Sequence, residues 1–385
     1  MKQLRGVTWK HTRGLLPMLA TAERFEEMHP DVQITWETRS LQSFADEPLE
    51  VLALRYDLLV IDHPSCGRAA AKGFLIPLDE AIPTPFLQDQ AQHSVGQSYQ
   101  SYYYNAQQWA LPIDAAAPVS GYRLDLLRES GYDVPRTWEE MTHLAHKGLV
   151  VVPGLAIDSL MNFFMLCLAL GEEPCSTDDR VVSAPVSAEA MRRLRELLRL
   201  CPSECMKANP IAIWEMLAKS QRGAYCPFAY GYSNYSRRGY AEYPVNAGDL
   251  VTFHGAPLRS TLGGAGLAIS AGCRDMETAT TYLQYVASGL CQRTVYFDAG
   301  GQPGHRGAWL DDEVNRRSNG FFKETLPALN RAWVRPRFDG YLQFQSHAGE
   351  LLHRYLRDGG DELSVLTDMD HLLRNAHQGR RNEVQ

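Results

Sequence analysis

Residues 111–122 read LPIDAAAPVSGY, and their reading decides how the chain is divided. Pro112 and Pro118 bracket a short piece holding one acid, Asp114, and three alanines. Proline fixes its own φ and pushes the preceding residue toward extended backbone, so this piece is not helical. A tyrosine-rich polar segment, 99–109, precedes it. LDLLRESGYDVPRTWEEM follows, and reads as a helix, a Gly131 stop and a second helix capped by Thr137 with Glu140 as its capping-box partner. Taken alone, the piece is a strand edge. As a stiff connector in the first third of the chain, it is also what a crossing between two lobes looks like.

On the N-terminal side the pattern alternates strand and helix. Residues 4–9 form a first strand, and Met18, Ala22, Phe25 and Met28 share one helical face. VQITWE (32–37) alternates as a second strand. YDLLVI (56–61) is a continuous apolar run, as expected of a central strand buried on both faces. A short helix and a strand at FLIPL (74–78) follow. This succession predicts βαβ units and a parallel sheet. On the C-terminal side a valine-rich strand is expected at 148–154, with helices at 159–170 and 187–200 and a strand at 224–229. A glycine turn then leads into a strand ending at 270, and helices follow at 275–290, 348–356 and 363–376.

The 385 residues suffice for two or three domains, and 45% apolar with 22% charged residues is the balance of a globular chain. A net charge of −7 argues against nucleic acid or an anionic membrane as partner. No stretch reaches the ~20 apolar residues of a membrane span. Eight scattered cysteines without a CxxC favour a reducing compartment over a zinc or disulfide framework. No apolar signal region follows Met1, so the sequence as written is expected in the cytoplasm, or in the periplasm if it is a processed form.

Ligands of open α/β sheets bind at the carboxyl ends of strands. Two such ends carry polar groups here. Trp9 closes the first strand, and His11 and Arg13 follow it in WKHTRG, suited to a carboxylate, a phosphate or sugar hydroxyls. Asp62 and His63 close YDLLVI, where the acid serves either a ligand or the cap of the next turn. Tyr230 and Tyr232, in a cluster running from 225 to 243, are either a stacking wall or core. Arg337 offers a guanidinium from RPR. The GGAG at 263–266 precedes a strand, so it is no dinucleotide fingerprint. No nucleophile, zinc or P-loop motif is present, and no cofactor is expected.

Five segments in order resemble the extracellular solute-binding proteins of ABC importers, in the carbohydrate-binding family that includes maltose-binding protein. They are AERFEEMHPDVQITWE; YDLLVIDHP with GFLIPLDE; ALPIDAAAPVSGYRLDLLRESGYDVPRTWEEM; STLGGAGLAISAGCRDMETATTYLQYVAS; and RPRFDGYLQF. The third is the most specific, through Tyr122, Asp125, Leu126, Gly131, Pro135, Thr137, Trp138 and Glu140. The resemblance implies a two-lobed periplasmic-binding-protein-like type II α/β fold that closes on its ligand about a hinge. It implies one lobe of 1–113 and 258–332, another of 119–256 and 333–378, and hinge crossings at 114–118 and 257–266. His11, Asp62, Asp114, Tyr230 and Gly264 fall where that family places ligand contacts. The expected function is capture of a small polar solute, a carbohydrate or a sugar or organic acid, by a non-enzymatic monomer with an ABC permease as partner. The alternative is a cytosolic enzyme or sensor on the same fold.

Overall fold

The computed structural model describes residues 1–41, 48–219 and 223–383. Packing divides the chain into two units. The first contains Met1–Ala116, Leu262–Arg316 and Val334–Leu342; the second contains Ala117–Thr261, Arg317–Trp333 and Gln343–Gln385. The strands of the two principal sheets, numbered in chain order, are β1 (Lys2–Trp9), β2 (Val32–Arg39), β3 (Leu58–Ile61), β4 (Leu111–Ala116), β5 (Pro118–Tyr122), β6 (Tyr225–Tyr230), β7 (Asn246–Gly248) and β8 (Gly263–Ile269).

The first unit is built on a five-stranded sheet of order β2-β1-β3-β8-β4. β1 runs parallel to β2 from Lys2↔Val32 to Trp9↔Arg39, and parallel to β3. The apolar run of β3 is buried on both faces. Leu58 and Val60 join the core formed with Met18, Ala22 and Phe25 of helix Thr12–Met28, while Leu59 and Ile61 join Tyr56, Cys66, Tyr102 and Trp109 on the other side. The sheet is not parallel throughout. β8 is antiparallel to both β3 and β4. It enters from the second unit, so no crossover helix has to reverse the chain before it, and an antiparallel approach is open.

The second unit has a three-stranded sheet of order β6-β5-β7, with β5 antiparallel to both neighbours. Around it stand helices Trp138–His146, Ala156–Ala169, Ala184–Leu200 and Pro210–Lys219. The capping box of the first is formed: the Glu140 N–H donates to Thr137 Oγ1 at 3.1 Å, and the Thr137 N–H donates back to the Glu140 carboxylate at 3.3 Å. Met191, Leu194, Leu197 and Leu198 supply the buried face of Ala184–Leu200. Two expected strands shrink to single bridges, Leu75↔Ser270 and Val150↔Tyr225. Each segment carries a proline, Pro77 or Pro153, that has no N–H to extend a ladder.

The segment 111–122 is extended throughout, yet it is two strands in two different sheets, with buried Ala117 at the junction. The expected division fails further along, where 258–332 does not stay in one unit and 333–378 does not stay in the other. Helix Phe321–Arg331 belongs to the second unit. There the Phe321 ring lies 6.4 Å from that of Trp214, and Arg331 pairs with Asp249. Val334–Leu342 belongs to the first, where Arg335 pairs with Asp62 and Arg68 with Asp339.

Leu267, fully buried in β8, tests how far this sheet holds the first unit together. Leu267→Ala should cost ~2–5 kcal/mol. In urea, the transition of the first unit should move to lower denaturant while that of the second stays in place, as read by hydrogen-exchange mass spectrometry.

Candidate functional site

The carboxyl end of β1 turns directly into helix Thr12–Met28. His11 caps that helix, its Nδ1 accepting the Arg13 N–H at 3.0 Å. In the neutral ring the proton therefore sits on Nε2. Arg13 folds back across the first unit: Nε donates to Asp114 Oδ2 at 2.7 Å and Nη2 to Oδ1. The Arg13 side chain is 4% exposed and that of Asp114 fully buried. Burial raises the Asp114 pKa, and the Arg13 charge only partly offsets it. The two groups expected to meet a ligand separately thus neutralise each other. The cationic first loop is no ready receptor for an anion, which removes the reason given by the sequence for an acidic solute. Trp9 is likewise buried, with the Arg13 guanidinium 6.0 Å from its ring.

At the end of β3, Asp62 takes the capping role, one of the two anticipated for it. Its Oδ1 accepts the His63 N–H at 2.9 Å and so caps the turn His63–Ser65. Both carboxylate oxygens also accept from Arg335 Nη2, at 2.7 and 2.6 Å, while Arg335 Nε donates to the Leu262 carbonyl. Burial works to raise the Asp62 pKa, but Arg335 and His63 together hold it far below the usual carboxylate range. His63 itself is fully buried. Its Nδ1 lies 3.2 Å from Asp62 Oδ1, but among the described residues neither ring nitrogen makes an aligned hydrogen bond. Burial, then the charge of Arg335, lowers its pKa to about 4, so the ring is neutral.

Three other expected contacts have structural work instead. Arg337 donates through Nη1 to the carbonyls of Gln100, Ser101 and Tyr103, tying that turn together; the arginine that meets Asp62 is Arg335. Gly264 has φ +100°, and a Cβ there would lie 2.4 Å from the Asp114 carbonyl oxygen, so glycine is what lets β8 approach β4. Tyr232 is buried with its ring edge-on to Tyr235, at 6.5 Å between centroids, and is core rather than an open wall.

In the second unit Tyr230 ends β6, half-buried, with its hydroxyl 3.1 Å from Thr261 Oγ1. The same sheet edge carries a group that the sequence did not single out. The segment around Val150 runs parallel to β6 and leads into helix Ala156–Ala169, whose first turn holds Asp158. Asp158 is 6% exposed, and its Oδ2 has no hydrogen-bond partner among the described residues. Burial alone pushes its pKa up to about 8. At neutral pH it is a carboxylic acid, able both to donate and to accept. The sequence signal was faint: one acid at the start of an otherwise apolar helix, where an exposed first-turn acid is the ordinary outcome.

Residues 9–159, the stretch containing both strand ends, Asp114 and Asp158, match the family model of the bacterial extracellular solute-binding protein. A mannitol-binding protein of Pseudomonas aeruginosa is 29% identical over 142 residues; the match covers 35% of this chain and 31% of that protein's length. Among solved structures, a maltose-bound MalE3 of T. maritima has a TM-score of 0.85 at 19% identity, over 97% of this chain and 100% of that one. A ribitol complex of an ABC transporter solute-binding protein from Agrobacterium radiobacter has 0.84 at 18%, over 97% and 98%. One from Agrobacterium vitis with bound D-mannitol has 0.79 at 14%, over 98% and 99%. The fold is the one that these solved structures share, as the ordered sequence segments led one to expect.

The site chemistry gives the two units opposite responses to acid. His63 has a folded pKa below its unfolded value, so the unfolded chain takes up the proton first and the first unit loses stability as pH falls from about 6.5 to 4. The loss should be on the order of 3 kcal/mol and vanish in His63→Phe. Asp158 has a folded pKa above its unfolded value, so the second unit loses stability as pH rises from about 4 to 8. Asp158→Asn should level that slope. Hydrogen exchange at pH 4.5, 6 and 8 reads both slopes in one sample. Equal slopes of one sign in the two units would contradict these assignments.

Proposed function

We propose that the protein is a non-enzymatic solute-binding protein of an ABC importer, and that its solute is an uncharged polyhydroxy molecule, a sugar or a sugar alcohol. The observation that carries this reading is the family match over residues 9–159, the stretch that holds the carboxyl-end groups. The mannitol-binding relative and the neighbours holding maltose, ribitol and D-mannitol support it.

The choice of a neutral solute rests on charge. Arg13 is matched by Asp114 and Arg335 by Asp62, so neither buried cation presents a net charge. An anionic solute would have to leave water without a matching partner, which is costly. Hydroxyl groups instead suit sites that both donate and accept. In the first unit Asp62, held by Arg335, offers lone pairs; in the second, protonated Asp158 both donates and accepts. An ABC permease as partner belongs to the same proposal.

Calorimetric titration with mannitol, ribitol and maltose, set against gluconate and mannitol 1-phosphate, tests the reading. At least one neutral ligand should bind, and the charged ones at least ~10-fold more weakly, equivalent to ~1.4 kcal/mol. Asp158→Ala should weaken the best ligand at least ~10-fold, because it removes a buried carboxyl whose Oδ2 has no partner among the described residues. Tighter binding of the charged members would overturn the solute class. Hinge closure predicts a ligand-dependent fall in the radius of gyration by small-angle scattering.

A further inference from the structure

We propose that Asp89, His93 and His305 form a binding site for a divalent transition-metal ion of borderline softness, Zn2+ foremost. The three are far from the strand-end groups in sequence and play no part in the solute reading, which stands or falls separately. Each offers one ligand atom, and these atoms lie within 4.8 Å of one another. Among the described residues no other group of three or more His, Cys, Asp or Glu side chains does this.

The backbone sets the arrangement. Asp89 lies in helix Thr84–Gln92 and His93 closes that helix four residues later, on the same face. His305 is brought alongside by the bridge Ser94↔His305 and by the Arg306 N–H donating to the His93 carbonyl at 2.7 Å. The imidazole rings consequently stack, 4.9 Å apart and 17° from parallel. The Asp89 carboxylate reaches both: Oδ1 is 2.9 Å from His93 Nδ1 and Oδ2 is 3.9 Å from His305 Nε2. Asp89 and His93 are half exposed and His305 nearly buried, so the exposed side leaves room for water to complete a coordination shell.

Two imidazoles and one carboxylate with an open position are a donor set for Zn2+, Ni2+ or Cu2+. Ca2+ and Mg2+ favour oxygen ligands throughout. Metal–ligand bonds of about 2.0–2.1 Å place tetrahedral ligand atoms about 3.3 Å apart, so the cluster must contract, chiefly by rotation of the exposed Asp89 side chain. There are two opposing terms. His93 Nδ1 lies 3.0 Å from the Asp89 carbonyl oxygen, so that nitrogen carries a proton, and a metal ion bound there must displace it. His305 Nδ1 accepts the Gly307 N–H at 3.1 Å, so the neutral ring carries its proton on Nε2, facing Asp89. Metal binding at Nε2 moves that proton to Nδ1 through solvent and releases the cap. The helix concerned, Arg306–Trp309, is only four residues long. A bound ion would pin the end of helix Thr84–Gln92 to the loop in which Pro303 pairs with Asp114 and the Gly304 N–H donates to the Ile113 carbonyl.

The test uses the full chain stripped with chelator. Calorimetry should show one equivalent of Zn2+ bound and no response to Mg2+, with a rise in melting temperature on Zn2+ addition. His93→Ala and His305→Asn should each weaken Zn2+ binding at least ~10-fold with unchanged far-UV circular dichroism. Asparagine retains the helix cap while removing the imidazole. Co2+ substitution separates this site from the eight cysteines, because thiolate ligation gives an intense near-ultraviolet charge-transfer band and nitrogen–oxygen ligation does not. Absence of stoichiometric uptake, wild-type affinity in both variants, or a thiolate band would each overturn the proposal.

Discussion

The bidentate pair between Arg13 and Asp114 is the contact on which the first unit's polar edge depends. It joins the first turn of helix Thr12–Met28 to the middle of β4, residues that lie far apart in the chain. Both partners are almost wholly withdrawn from water. Such a pair adds little net stability over an apolar replacement, but it makes the loss of either partner expensive, since the survivor is a buried charge without a counter-ion. What it contributes is therefore definition. It fixes where the first loop lies, and it cancels charge at an edge that two arginines would otherwise dominate. Asp62 with Arg335 repeats the device at the end of β3.

Much of the fold was legible because local signals agreed with one another. The apolar run of β3, the alternation of β2, the Thr137–Glu140 box and the two prolines around Asp114 each gave the local structure that is found. The direction of β8 was not legible, because strand polarity depends on the route of the chain and not on side-chain pattern. Nor was the shrinkage at 74–78 and 148–154, where β-branched and apolar residues outweighed a single missing N–H in the reading but not in the ladder.

The polar groups at the strand ends were legible by position, and their partners were not. Strand-end logic selected His11, Asp62 and Tyr230 from very different sequence contexts. It could not see that Arg13 would be consumed by Asp114, because that pairing spans most of the first unit. Arg335 and Arg337 lie two residues apart in the same irregular segment, and nothing in RPR says which reaches Asp62 and which reaches three carbonyls. Asp158 escaped because its importance comes from burial without a partner, and burial of a lone acid is a tertiary fact. The cluster at Asp89 is half visible: its i,i+4 pair can be read along one helix, and the third member arrives only through the bridge at Ser94.

The assignment of Arg317–Trp333 and Val334–Leu342 to opposite units has a consequence for biogenesis. The chain passes between the units five times, and the first unit receives Val334–Leu342 only after most of the second has been made. Asp62 waits for Arg335 until then. Neither unit is a contiguous stretch that a ribosome could finish and release to fold, so domain-by-domain folding during translation is closed to this chain. Both cores complete late and together, after long loops have closed at an entropic cost that no local contact offsets. Strands such as β3, covered early by helix Thr12–Met28, therefore lack their β8 neighbour until most of the second unit has been made.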